Sequence, residues 1–245
     1  MFKVPGLKFL DGKPNYFALE DIGQITSVDE FKELLSATVN YVKEEGIESV
    51  SITLDDNQIA NSGYVQLLGD LHFQEQGIQY FYKRDLMNLS ETEWDDSFNL
   101  VSIEEISPEV FKKVWKASAT GSLNASSSLS IDKEFEGMQS ELGRGYEKSC
   151  LTAFQNGTPI GITMPHIEPG TTDEGRLFYF GLKQEYRGKG YGVALHRQSL
   201  NYLKELGAAL YIGATGHENL PMQQIFQANG CQKFDTKVTF RLESC

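Results

Sequence analysis

A chain of 245 residues is long for one compact domain and sufficient for two small ones. With 40% hydrophobic and 23% charged residues it can bury a core, which excludes global disorder. The net charge of -12 repels phosphate backbones and anionic lipid, so neither a nucleic acid nor a membrane is an expected partner. Cys150, Cys231 and Cys245 include no C-x-x-C pair, so no disulfide framework and no metal site is expected. No signal-peptide core and no 18-residue apolar run occurs, and the chain reads as soluble and cytoplasmic.

In chain order, a polar and aromatic opening leads to Ser27-Val-Asp-Glu30, a capping box in which each side chain can satisfy the other's free amide. Phe31, Leu34, Leu35, Val39 and Val42 then recur at helical spacing, and Gly46 ends the run. Val50, Ile52 and Leu54 alternate as a strand. A short helix around Tyr64 to Leu68 and an aromatic strand through Ile78, Tyr80 and Tyr82 follow. The acids of Glu91-Thr-Glu-Trp-Asp-Asp96 mark a solvated linker. Residues 1–95 are therefore expected to form a smaller α/β domain, and residues 96–245 a second one.

The second domain opens with a strand at Leu100 to Ile103 and a helix begun by Ser107-Pro108, with Val110, Phe111, Val114 and Trp115 as its apolar stripe. Six serines between Ser118 and Ser130 predict a mobile loop. A helix from Ile131 to Leu142 stops at Gly143, and a hairpin turns at Asn156-Gly157. The apolar strand Leu177 to Leu182 runs into a Gly-rich turn and a helix carrying Leu195, Ser199, Tyr202 and Leu203, stopped by Gly207. A strand at Ala209 to Ile212, a short helix from Asn219 to Ala228 and a last strand through Phe234, Val238 and Phe240 complete the chain.

Strand, Gly-rich turn and helix together make an anion site. Glycines let the backbone come close, and the first helical amides present free N–H groups with the dipole behind them. A dinucleotide fingerprint would need Gly where Val193 stands, and the Gly-Lys-Ser/Thr of a P-loop is absent. Gln184-Glu-Tyr-Arg187-Gly188-Lys189-Gly190-Tyr191-Gly192 resembles instead the Q/R-x-x-G-x-G/A signature of the GNAT acetyltransferase superfamily. Downstream, Asn219, Met222, Ile225, Phe226 and Gly230 fall where that family has Asn-x-x-Ala/Met-x-x-aliphatic-aromatic and then Gly, with Cys231 in the last slot. The resemblance spans Asn99 to Cys245.

It implies an α/β fold whose mostly antiparallel, splayed sheet is flanked by helices. It also implies an N-acyltransferase that moves an acetyl group from acetyl-CoA, as co-substrate, to a primary amine by direct attack. The backbone near Phe180 and Leu182 would pair with pantetheine. The amides of Gln184 to Gly192 would hold the pyrophosphate, with Arg187 and Lys189 supplying charge. Asn219 would bond the pantetheine arm or simply cap its own helix. Phe226 stands where the family often has a proton-donating Tyr; it can pack against the arm but cannot protonate a thiolate. A non-catalytic acyl-CoA binder is accordingly the alternative reading.

Glu174, thirteen residues before Arg187, occupies the place of the family's glutamate base; the other reading is a solvated acid beside Asp173. Tyr179 and His166 are further candidates, and the lone His196 reads as structural. The acceptor, a small-molecule or peptide amine, would approach opposite the cofactor, bounded by the serine-rich loop, and the protein would be a monomer or homodimer. Residues 27–86 echo 193–242 in element order, so the N-terminal third is either a degenerate GNAT-like half or an unrelated α/β extension.

Overall fold

The computed structural model describes residues 7–89, 97–124 and 129–243. Two compact units divide the chain, Met1–Tyr80 with Asp235–Cys245, and Phe81–Phe234. The acidic stretch expected as a linker lies outside the described residues.

In the first unit, β1 (Lys8–Gly12) and β2 (Tyr16–Asp21) form an antiparallel hairpin in the opening segment, where no strand pattern was legible. Helix α1 (Val28–Glu44) starts at the expected capping box: Ser27 Oγ accepts from the Glu30 N–H at 3.2 Å, and the Glu30 carboxylate accepts from the Ser27 N–H at 3.3 Å. β2 runs parallel to β3 (Ser49–Leu54), which pairs antiparallel with β10 (Gln232–Glu243). Two short helices, α2 (Asp56–Ala60) and α3 (Ser62–Asp70), lead into β4 (Gln74–Asp85). The α1 stripe, Phe31, Leu34, Leu35 and Val42, buries against Phe17, Ile52 and Phe240, removing a large apolar area from water.

In the second unit, β5 (Asn99–Ser102), β6 (Leu151–Gln155), β7 (Thr158–Ile167), β8 (Glu174–Leu182) and β9 (Leu210–Gly216) lie side by side in that order. The first four are antiparallel neighbours, and β8 and β9 are parallel. The β6–β7 turn places both Asn156 (φ 50°) and Gly157 (φ 78°) in the left-handed region, as a two-residue hairpin of this sequence requires. The helices are α4 (Pro108–Ala119), α5 (Ile131–Leu142), α6 (Tyr146–Ser149), α7 (Tyr191–Glu205) and α8 (Leu220–Ala228).

The buried stripe of α4 is Phe111, Val114, Trp115 and Ser118, whereas Val110 is 39% exposed. Ser118, expected to open a mobile loop, is wholly buried because it follows Phe111 by seven residues and Trp115 by three, on the same helical face. Phe111, Trp115, Phe135 and Met138 make one cluster with Ile162 and Met164; Ile160, Leu182 and Leu195 anchor another. Among the described residues, no helix is long and apolar enough to cross a membrane.

Candidate active site

Strand β8 is irregular on both edges. Its ladder with β9 holds only two residue pairs, Glu174 with Leu210 and Gly175 with Tyr211, although both strands continue well beyond them. Past that point their facing edges share no ladder, so an extended ligand has a backbone edge to pair with. Against β7, Thr163 pairs with Phe180 and Pro165 with Leu177, so Phe178 and Tyr179 together oppose Met164. This bulge turns both rings toward α4, with centroids 6.4 and 5.6 Å from Trp115. Phe180 faces α7 instead, 5.7 Å from the His196 ring.

Beyond β8 comes a single 3-10 turn at Gln184–Tyr186, then Gly188 (φ 70°) and Gly190 (φ 80°). Both glycines are exposed, and a Cβ on either would meet nothing within 4 Å. Their positive φ is what excludes other residues. Gly190 begins α7 without any side-chain cap, leaving the first amides of a long helix to an anion. Gly192 has another purpose: its Cβ would lie 2.7 Å from Ile225 Cδ1, so glycine lets α8 come close. With Phe180, Leu182, Asn219 and Met222 these glycines line a cavity of about 610 Å³. An open cradle at an uncapped helix start fits the diphosphate of a thioester such as acetyl-CoA.

Arg187 lines this cavity, but its guanidinium is committed elsewhere. Nε donates to Leu182 O (3.0 Å), Nη1 to Gly121 O (2.7 Å), and Nη2 to Ser118 O (2.8 Å) and Thr120 O (3.0 Å). Three of these four bonds hold the C-terminal end of α4, where unsatisfied carbonyls and the negative dipole end favour a cation, and the fourth ties it to β8. Arg187 is thus a clamp on the end of α4, and its positive charge stands on the wall of the cavity. Lys189 is the exposed cation of the turn, 5.7 Å from the Tyr186 ring centre. Gln184 is exposed, and Tyr191 is half-buried between Phe98 and Tyr186.

Asn219 is buried and caps α8, its Oδ1 accepting from the Met222 N–H at 3.2 Å, so the capping role is realised. Its Nδ2 approaches Asn124 Oδ1 at 3.5 Å, while Asn124 Nδ2 donates to Phe180 O at 3.1 Å. A carboxamide from the loop after α4 therefore spans Phe180 and Asn219, two of the places expected to receive pantetheine. Nothing in the spacing around Asn124 marks it, and sequence reasoning missed it.

Phe226 is not on the cavity wall. It is 1% exposed, with its ring 4.7 Å from Tyr82, 5.4 Å from His196 and 6.3 Å from Tyr211. Pro221, Met222 and Ile225 form the α8 part of the wall, and Phe226, about 100° around the helix from Ile225, points into the core. The expected packing of Phe226 against a ligand arm is corrected accordingly.

Beneath it lies a buried polar chain. Asn229 is oriented by Arg197 Nε on its Oδ1 (3.2 Å) and by Val193 O on its Nδ2 (3.0 Å). Its Nδ2 also donates to His196 Nδ1 at 3.1 Å, so the ring proton sits on Nε2 and is donated to Tyr211 Oη at 3.2 Å. Burial, with Arg84 nearby, pushes the His196 pKa down to about 3, and burial raises the Tyr211 phenol well above its ordinary value. His196 is structural, as expected.

Glu174 stands where β8 and β9 meet. Arg176 holds one of its carboxylate oxygens with Nε at 2.7 Å and Nη2 at 2.6 Å. His166 pairs with Glu168 at 3.4 Å. Neither Glu174 nor His166 lines either of two cavities in this unit, whereas Tyr179 does.

The second cavity, about 590 Å³, lies between α4, α5 and the β8 bulge, walled by Trp115, Met138, Phe178 and Tyr179. It shares Ser122 and Asn124 with the first. The Tyr179 hydroxyl is buried beside these two residues without completing a hydrogen bond, and burial raises its pKa. No cluster of metal-binding side chains occurs among the described residues.

The acetyltransferase (GNAT) family profile matches residues 115–231. No curated protein matches the sequence. The fold is similar to that of a GCN5-related N-acetyltransferase from Sphaerobacter thermophilus, with a TM-score of 0.70 at 12% identity, over 96% of this chain and 75% of that one. It is also similar to a tandem GNAT protein from the clavulanic acid biosynthesis pathway (TM-score 0.64, 15% identity, 95% of this chain and 76% of that one). A GNAT-family acetyltransferase from Colwellia psychrerythraea is comparable (0.61, 15%, 94% and 79%). The segment holding the glycine cradle, the bulged strand and the uncapped helix, residues 115–231, is an acetyltransferase domain of the GNAT family.

Proposed function

We propose that the protein is an N-acyltransferase that moves an acetyl group from acetyl-CoA to a primary amine by direct attack in a ternary complex. The observation that carries this reading is the exposed Gly188–Gly190 cradle at the uncapped start of α7, beside the parted edges of β8 and β9. Acetyl-CoA supplies an activated carbonyl. The amides from Gln184 to Gly192, with Lys189, hold its pyrophosphate, and the edge of β8 through Phe180 aligns its arm once the Asn124 carboxamide yields. The amine meets the carbonyl from the α4–α5 side, across the bulge. Glu174, at the closed end of the parting, takes up a proton from the amine through water. The smaller unit is a degenerate second copy of the same fold, a reading supported by the likeness to a tandem GNAT protein over 95% of this chain.

Gly190→Asp is expected to weaken acetyl-CoA binding about 100-fold or more by isothermal titration, with circular dichroism unchanged. A side chain at φ 80° is strained, and a carboxylate beside the α7 start repels phosphate. Thiol release with a panel of primary amines tests turnover. Tight acetyl-CoA binding with no release from any amine would instead establish the non-catalytic binder, which Phe226 favours because it carries no dissociable proton.

A further inference from the structure

We infer that the α4–α5 cavity is the acceptor seat and that it selects a primary ammonium on an aromatic-sized apolar chain, gripped by the carboxylate of Glu134; this rests on the acetyl-transfer reading. Three independent features carry it.

The first is charge. Glu134, Glu141, Lys116 and Lys133 all line the cavity, but only Glu134 is half-buried; the other three are exposed at its mouth. Glu134 makes no ion pair among the described residues, and it lines the cavity together with Tyr179. The rim, with two lysines and one glutamate, is net positive, so the half-buried carboxylate of Glu134 is the group that can draw a cation into the cavity.

The second is the wall. The β8 bulge turns Phe178 and Tyr179 to the same side, and with Trp115 and Met138 they make a surface of rings and a thioether. Ring faces attract ammonium groups and stack on flat apolar bodies.

The third is the space itself. Gly137 follows Glu134 by three residues on the cavity-lining face of α5, in the middle of the helix, where glycine costs stability relative to alanine. A Cβ there would meet nothing within 4 Å, so no packing constraint requires glycine. What its bareness provides is room in the cavity, for a body larger than an alkylammonium head. The shared lining at Ser122 and Asn124 joins this room to the thioester side.

The test is isothermal titration of the full chain with phenethylamine, with CoA present and absent, using 2-phenylethanol as the uncharged comparator. Phenethylamine is expected to bind at least about tenfold more tightly than the alcohol. E134Q is expected to cost about tenfold or more in amine affinity, and G137L to abolish amine binding, both leaving acetyl-CoA affinity unchanged. In turnover, E134Q raises the KM for the amine while kcat changes little. Equal affinity for amine and alcohol, or wild-type amine affinity in both variants, overturns the inference. Those outcomes leave acetyl-CoA binding and thiol release intact with other amines, so they are distinct from a failure of the acetyl-transfer reading, in which no amine gives release.

Discussion

Acidification is expected to unfold this protein through His196. The folded-state pKa of about 3 lies below the ordinary 6.5, so between those values the unfolded chain binds a proton that the native chain refuses. Stability from this group is complete above pH 6.5 and is lost as pH falls toward 3, at about 1.4 kcal/mol per pH unit. Integrated over that window, the loss is about 5 kcal/mol, comparable to the whole stability of a small domain. Urea denaturation at pH 7, 6, 5 and 4 measures it, with His196→Gln as the control. The variant is less stable at pH 7, since Tyr211 and Asn229 lose a matched partner, but its stability falls less steeply with acid. Parallel curves for the two proteins would show that the imidazole is protonated in the native state.

Arg187→Lys is expected to behave like Arg187→Ala, although it keeps the charge. The guanidinium reaches Leu182, Ser118, Thr120 and Gly121 at once, through a planar fork that an ammonium cannot reproduce. Either change removes the forked bonds that hold the end of α4 and frees the segment carrying Ser122 and Asn124. A loss of about 3 kcal/mol in unfolding free energy follows for both, from several charge-assisted bonds at a half-buried site. Acetyl-CoA affinity is expected to fall in parallel, because the loop forms one wall of the cavity proposed to hold it. If lysine preserved wild-type affinity while alanine did not, charge at the pyrophosphate, rather than the clamp, would be the function of Arg187.

What the sequence made legible was local. The capping box at Ser27, the left-handed pair Asn156-Gly157 and the cradle glycines are each specified by a few adjacent residues, because they depend on one turn of backbone. What it concealed depends on groups far apart in the chain. Arg187 could be recognised as a cation beside glycines, but not as the cap of a helix that ends some 70 residues earlier. Phe226 occupies the expected slot in its motif, yet only the packing of Tyr82, His196 and Tyr211 reveals that its ring is core. The serines after Trp115 read as loop because composition outweighed spacing, whereas Ser118 continues the buried stripe. The return of β10 to β3 leaves no periodic trace at all. The second cavity was missed because Glu134 looks like any exposed helical acid until the fold sets it in one lining with Tyr179 of the β8 bulge.

The short ladder between β8 and β9 has a consequence for solvent access. Strands this far from an outer edge normally shield their amides, yet past Gly175 and Tyr211 neither strand supplies acceptors for the other. Deuterium is therefore expected to enter those amides of 176–182 and 212–216 that face the parting within seconds, while the β8 amides bonded to β7 and those of the β6–β7 ladder resist for far longer. Mass spectrometry of peptides covering both regions would reveal a fast-labelling seam through the interior of the domain, and a thioester laid into that seam would darken it.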